Sequence, residues 1–207
     1  MGRSTLIAIL LATVLAVAVS AGASQRPAVR PFAGIGLLVV RSVVPDEAAG
    51  PIPLYRKPGI DRIVEIPPAR LPALDAVMVT PAGERRAVVM GVRDQWCRII
   101  YDDADREGWL EMPRSWQFLP WERFLKGRFV RFLPGLRKGF GVVRQGGDDA
   151  APELATPARG SQFRVLRVDD DWAQVMVEYT RIGWLRWRDR DGRFLIAVVE
   201  HAATQNR

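Results

Sequence analysis

Cysteine and histidine are almost absent from this chain of 207 residues, which has one of each. Because Cys97 is the single cysteine, no disulfide can form within the chain. A cysteine nucleophile needs a histidine base beside it, and the single histidine, His201, lies in a polar segment near the end of the chain. We therefore expect no catalytic residues and a core that is stabilised by packing alone.

Long apolar runs are also scarce, since only residues 6–19 form one. The run follows Arg3 and precedes the small residues 21–23, an order typical of a secretory signal peptide. At a rise of about 1.5 Å per residue, the run is too short for a hydrocarbon core of roughly 30 Å, although an uncleaved membrane anchor is the alternative. We expect residues 1–23 to be a signal peptide and the protein to be exported, either periplasmic or secreted.

The chain is basic, but it contains no long run of lysines. It carries 30 Lys and Arg against 23 Asp and Glu, a formal net charge of +7 at pH 7. Such a balance can attract nucleic acid, anionic wall polymers or lipid head groups. Because an exported protein meets wall polymers and lipids first, we expect no nucleic-acid partner and keep weak contact with an anionic membrane surface as an alternative.

Aromatic residues are plentiful, with seven Trp and eight Phe, and part of their arrangement repeats. Trp96 begins a segment that alternates with period two and is followed, after a charged turn, by Gly-Trp-Leu at residues 108–110. Trp172 begins a second such segment, followed by Gly-Trp-Leu at residues 183–185. Alternation of this period predicts strands, and two strands around a turn predict an antiparallel hairpin. The sequence therefore predicts an all-β fold with about five short strands in each copy.

Each copy resembles a bacterial SH3 domain. The hairpin that starts with acidic-x-Trp and continues with Gly-Trp-Leu carries the likeness, together with the upstream segments 54–59 and 142–144. The resemblance implies a small, partly open β-barrel that binds peptides, glycopeptides or protein partners, often at the bacterial cell wall, without chemistry of its own. We accordingly expect two SH3-like β-barrels in tandem. The expected segments after the signal peptide are a linker at 24–36, a first barrel at 37–112, a connecting segment at 113–138, a second barrel at 139–199 and a tail at 200–207.

The connecting segment is basic and aromatic, and two structures compete for it. Its apolar positions fit one face of a helix, which would make a membrane-surface or partner-binding element. Gly127 and Pro134 argue against one continuous helix. We favour a short helical turn at residues 121–125 and extended chain at 128–133, ended by a Pro-Gly turn.

The tryptophans divide into two groups by whether they recur between the copies. Recurrence favours a packing role, whereas non-recurring aromatic residues beside arginines suit a platform for sugars or peptides. Packing between the two barrels is the alternative for the second group. The structural group is Trp96, Trp109, Trp172, Gly183 and Trp184, and the ligand-binding group is Trp116, Trp121, Trp187 and Arg186, joined by Tyr55 through the resemblance to SH3 grooves.

Two further features resemble chemical sites but are better explained without chemistry. Cys97 aligns with Ala173 at an alternating core position, so a small buried side chain accounts for it. Asp103, Asp105 and Glu107 mimic the start of a calcium loop, but an arginine stands where the bidentate glutamate is needed. We expect no metal and no cofactor.

These observations together indicate an exported, non-catalytic binding module that recognises peptidoglycan or an envelope protein through its SH3-like barrels. The alternative is a structural or assembly protein that docks to a partner or to an anionic membrane surface. A cysteine-dependent cell-wall enzyme, which would have to use Cys97, is the third hypothesis.

Overall fold

A computed structural model describes residues 30–41, 50–178 and 180–199. The predicted signal peptide at 1–23 and the predicted tail at 200–207 lie outside these ranges, as do residues 24–29 of the predicted linker. Within the described ranges, no helix is both long enough and apolar enough to cross a membrane.

The first half of the described chain forms a seven-stranded antiparallel sheet. A 3₁₀ turn, Pro68–Arg70, lies in the long connection between its third and fourth strands. The strands are β1 (Gly36–Arg41), β2 (Ile52–Lys57), β3 (Ile60–Ile66), β4 (Glu84–Arg93), β5 (Trp96–Ile100), β6 (Glu107–Glu111) and β7 (Gln117–Pro120).

The second half begins with the helix α1 (Trp121–Leu125), which follows β7 directly. It then forms a second seven-stranded antiparallel sheet. The strands are β8 (Phe129–Phe132), β9 (Val143–Arg144), β10 (Glu153–Ala155), β11 (Gln162–Asp169), β12 (Trp172–Val177), β13 (Arg181–Arg186) and β14 (Ile196–Val199).

Both sheets have the same strand order relative to the chain. The first runs β3-β2-β6-β5-β4-β1-β7 and the second runs β10-β9-β13-β12-β11-β8-β14. Trp96 opposes Glu111 in the first sheet, and Trp172 opposes Arg186 at the same place in the second. The prediction of an all-β chain is confirmed, and the repeat extends over seven strands in each half, more than the five expected.

The two hairpins at the centre of the repeat each turn at an aspartate. Asp94, with φ of 53°, begins the turn between β4 and β5, and Asp170, with φ of 49°, begins the turn between β11 and β12. Aspartate tolerates this left-handed conformation better than most residues because its short polar side chain bonds locally. The alternating residues buried after these turns are Cys97 and Ile99 in β5 and Ala173, Val175 and Val177 in β12.

The predicted connecting segment, 113–138, is divided between the two sheets. The short helix expected at residues 121–125 is present as α1, and the extended chain expected at 128–133 contains β8. The strands on either side of α1, β7 and β8, belong to different sheets. Phe118 of β7 opposes Leu38 of β1, and Val130 of β8 opposes Phe163 of β11. The halves therefore meet at α1, before the expected boundary at residue 139. The reason is that β7 pairs within the first sheet and β8 pairs within the second.

Two clusters of buried side chains stabilise the fold. The smaller one lies within the first half, around Leu54. The larger one joins the halves, since Leu37 of β1 and Val165 of β11 both belong to it. A backbone hydrogen bond of 2.7 Å from the nitrogen of Val198 to the oxygen of Val77 also crosses between the halves. The two halves therefore stabilise each other through shared burial.

Replacement of Gly183 by alanine tests the packing of the second half. A Cβ atom at this position would lie 2.5 Å from Cγ1 of Val143 and 2.8 Å from Cδ2 of Leu154. We expect this overpacking to lower the free energy of unfolding by about 1–3 kcal/mol, measured by urea denaturation. The matched control is Gly141→Ala, because nothing lies within 4 Å of a Cβ there. Equal stability of the two variants would contradict the packing described.

Candidate functional site

Trp121 and Trp187, which were expected to form a ligand platform, are buried where the two halves meet. Each is 1% exposed. The indole nitrogen of Trp121 donates to the backbone oxygen of Ala33, and that of Trp187 donates to the backbone oxygen of Asp170, each at 2.7 Å. The two rings lie 5.6 Å apart between centroids, and Phe194 packs against both. These tryptophans pack between the halves, as the alternative given for them above states, and they are too buried to form the predicted platform.

The other three predicted ligand residues lie on different elements. Trp116 precedes β7 and packs against the core cluster of the first half. Arg186 ends β13 in the second sheet, whereas Tyr55 lies in β2 of the first sheet. No hydrogen bond, ion pair or ring contact joins these three side chains in the part of the chain that the structure describes. The five predicted residues therefore do not form one site.

Arg186 is held by its neighbours in the second sheet. Its side chain is 12% exposed, and its Nη1 donates to both carboxylate oxygens of Asp149 at 3.1 Å. Its guanidinium lies 5.2 Å from the ring centroid of Trp172. A hydrogen bond from Arg190, with the positive charge of Arg186 close by, holds the pKa of Asp149 below its usual value. Arg186 is thus a paired cation that packs on Trp172 and not a free donor.

The loop that joins β9 to β10, residues 145–152, packs on the aromatic side chains of the second sheet. A Cβ at Gly147 would lie 3.2 Å from the ring of Trp184 and 3.5 Å from Cβ of Trp172. Nη1 of Arg144 anchors the loop by donating to the backbone oxygen of Ala151 at 2.8 Å. Trp172 is 8% exposed, whereas Trp184 is half-buried. We call Trp172 and Trp184 the covered aromatic face.

The equivalent place in the first sheet has a much shorter connection. Only Pro58 and Gly59 join β2 to β3, because Lys57 opposes Ile60 directly across the hairpin. The aromatic side chains beside this turn are all half-buried, and Tyr55 and Trp96 meet edge to face with ring centroids 5.5 Å apart and an angle of 87° between planes. Across the sheet, the backbone of Tyr55 opposes that of Trp109. We call Tyr55, Trp96 and Trp109 the open aromatic face.

Charges of both signs surround the open aromatic face, and some of them form ion pairs. The guanidinium of Arg98 lies 5.8 Å from the ring centroid of Trp109, and its Nε is 3.2 Å from Oε2 of Glu107. Arg56 and Asp61, beside the short turn, form an exposed ion pair at 2.9 Å. The face therefore combines apolar ring surface with hydrogen-bonding groups and with charges of both signs, which suits a neutral, hydroxyl-rich ligand better than a strongly charged one.

Trp96 and Trp109 were assigned to the structural group because they recur, and that reasoning missed their place beside Tyr55. Recurrence shows that two positions are equivalent in the fold, but it does not show whether a neighbouring loop covers them. The sequence signal that could have indicated the difference is the length of the connection between the second and third strands of each half, β2 to β3 and β9 to β10. Pro58 and Gly59 follow β2 directly, whereas the corresponding loop of the second half, 145–152, is longer.

Cys97 is fully buried in β5, as its alternating position predicts. Its Sγ lies 3.8 Å from Sδ of Met112, and burial raises the pKa of its thiol to about 11. A nucleophilic cysteine needs an accessible thiolate, so this side chain is unsuited to attack a substrate. In the described ranges, no group of three or more His, Cys, Asp or Glu side chains is arranged to hold a metal ion.

Neither a scan against protein-family models nor a search of curated proteins gives a match to this chain. The resemblance to bacterial SH3 domains therefore depends on the residues that carry it, namely the two Gly-Trp-Leu hairpins and the segments upstream of them.

Replacement of Trp121 by alanine tests its burial between the halves. The change removes a fully buried indole and its hydrogen bond to Ala33, and we expect the free energy of unfolding to fall by about 3–5 kcal/mol. Urea denaturation followed by far-ultraviolet circular dichroism measures the loss. The half-buried Trp116 provides the control, and Trp116→Ala should cost distinctly less. A Trp121→Ala variant as stable as Trp116→Ala would contradict the placement of Trp121.

Proposed function

We propose that this chain is an exported, non-catalytic binding module that recognises peptidoglycan, with the open aromatic face as its binding surface. The observation that carries the proposal is the difference between two otherwise equivalent sheets. A loop packs on the covered aromatic face of the second sheet, whereas a two-residue turn borders the open aromatic face of the first. The first half therefore offers aromatic ring surface that a ligand can reach.

The chemistry of the open aromatic face suits the sugar chain of peptidoglycan. The C–H groups on one side of a sugar ring pack on the electron-rich face of an aromatic ring, and Tyr55 and Trp96 present two rings at nearly right angles. Arg98 and Glu107 lie close enough to the Trp109 side of the face to offer a donor and an acceptor to sugar hydroxyls. Because these charges are paired, binding should depend only weakly on salt.

Two expectations from the sequence support a ligand in the cell envelope. The apolar run at residues 6–19 favours export, and the resemblance to bacterial SH3 domains favours a binding role without chemistry. The buried Cys97 thiol, with its raised pKa, weakens the competing hypothesis of a cysteine-dependent cell-wall enzyme. An envelope protein remains the alternative partner for the same surface.

An anionic membrane surface is a second candidate, and it is favoured by a group of exposed basic residues around α1. The residues are Arg123, Lys126, Arg128 and Arg131, with Glu122 as an exposed acid among them. A membrane-surface helix also needs an apolar face to insert. In α1 that face is already buried, since Trp121, Phe124 and Leu125 all belong to the core cluster between the halves. Membrane contact would therefore be electrostatic alone and would weaken as salt is added.

Cosedimentation with insoluble peptidoglycan sacculi, at low and at moderate salt, tests the proposal. We expect the full chain to be retained at both salt concentrations. Trp96→Ala and Tyr55→Ala should each weaken binding roughly 30-fold, since removal of a side chain central to an interface costs about 2 kcal/mol or more. Thermal unfolding of each variant establishes that it is folded.

The control for this experiment is Trp184→Ala, which changes the covered aromatic face and should leave retention unchanged. Retention that is equal in the Trp96→Ala and Tyr55→Ala variants would contradict the assignment of the open aromatic face. Loss of all retention at moderate salt, together with salt-sensitive binding to anionic liposomes, would favour the membrane surface instead.

A further inference from the structure

A cleft of about 450 Å³ lies where the two halves meet, and it is separate from the open aromatic face. The first half contributes Val79, Pro81 and Arg86, and the second half contributes Arg128 and apolar side chains of β8 and β14. Its walls therefore combine apolar and polar surface in about equal parts, and the polar part includes two arginines. We call it the junction cleft.

Arg86 is a rare buried arginine, at 9% exposed. Its Nε donates to Oε1 of Glu84 at 2.7 Å, and its Nη1 donates to the backbone oxygen of Val79 at 3.1 Å. These bonds fix the guanidinium at one wall of the cleft. Burial of a charge is costly unless it is paired, and Glu84 supplies that pairing for Arg86.

Arg128 brings a second positive charge to the same place without a carboxylate of its own. Its Nε donates to the backbone oxygen of Phe124 at 2.8 Å, and the described ranges contain no other hydrogen bond or ion pair of Arg128. Among the described residues, its two terminal nitrogens have no hydrogen-bond partner. Arg128 is exposed, so a ligand can reach these nitrogens from solvent.

The two guanidiniums share one aromatic ring. Arg86 lies 5.2 Å and Arg128 lies 4.2 Å from the centroid of Phe124. Although the residue as a whole is exposed, its guanidinium is partly desolvated against the protein, which lowers the pKa of Arg128; the like charge of Arg86 lowers this pKa further, and Glu84 raises it. The proximity of two like charges disfavours the empty cleft, and an anion placed between them would relieve that repulsion.

We propose that the junction cleft binds the terminal carboxylate of a short peptide with small apolar side chains. The carboxylate accepts from the terminal nitrogens of Arg128, in the planar arrangement that arginine and carboxylate share. Val79, Pro81 and the side chains of β14 surround the adjacent apolar groups of the peptide. This site does not depend on the proposed function, because it lies on other strands than the open aromatic face.

Occupation of the junction cleft would also tie the halves together. Arg86 belongs to β4 and Arg128 precedes β8, so one ligand contacts both sheets. A ligand that binds the folded chain and not the unfolded chain raises the free energy of unfolding by mass action. The melting temperature should therefore rise with peptide concentration.

Calorimetric titration of the full chain with N-acetyl-Ala-Ala tests the inference, and the C-terminal amide of the same dipeptide removes only the negative charge. We expect the free acid to bind and the amide to bind at least about tenfold more weakly. Arg128→Gln should weaken binding of the acid by a similar factor. Arg131→Gln is the matched control, because Arg131 is an exposed arginine of β8 outside the cleft, and it should leave binding unchanged.

Four results would overturn the inference. These are the absence of binding by the free acid, equal binding of the acid and the amide, unchanged binding by Arg128→Gln, and displacement of the dipeptide by inorganic phosphate at equal concentration. The last result would identify a general anion site in place of a peptide site. Trp96→Ala should not affect this titration, so failure of the junction cleft and failure of the open aromatic face are distinguishable.

Discussion

The packing of Trp121 between the two sheets is the interaction on which the rest of the structure depends. Trp121 begins α1, and its indole donates a hydrogen bond to Ala33 in the segment before β1. The same ring packs against Phe124 of its own helix and against Trp187 and Phe194 in the last connection of the second sheet. A large buried aromatic side chain with a satisfied donor contributes both apolar burial and orientation. The relative position of the sheets, and with it the junction cleft, follows from this contact.

The two halves share a strand order and differ in their connections, and the difference bears on function. The long loop 145–152 packs against Trp172 and Trp184 and Trp172 is buried, whereas the turn of Pro58 and Gly59 lies against one edge of Trp96 and leaves that ring half-buried. One half thus has its outer aromatic residues packed by its own chain, and the other half can pack its residues against a ligand. The duplicated scaffold supplies rigidity, and loop length decides which copy can bind.

The local alternation of residues predicted the central strands, whereas contacts between residues distant in sequence determine which side chains are buried at the candidate sites. Alternation with period two identified the hairpins around Trp96 and Trp172, and Gly127 correctly limited α1 to a short helix. The pairing of β7 with β1 was not predicted, because the two strands are far apart in sequence and nothing in the residues of either strand indicates its partner. The burial of Trp121 and Trp187 depends on how the halves meet, which no local window contains. The approach of Arg86 to Arg128 has the same origin.

Cooperativity of unfolding tests most directly whether the Trp121 contact unites the two halves. Urea denaturation of the full chain is followed by tryptophan fluorescence and by far-ultraviolet circular dichroism. The first reports on the tryptophans of both halves, including Trp121 and Trp187 at the junction, and the second reports on the strands of both sheets. The account predicts one transition with the same midpoint for both probes. Two separate transitions, with one sheet persisting after the fluorescence change is complete, would show that the halves fold independently and would contradict the account.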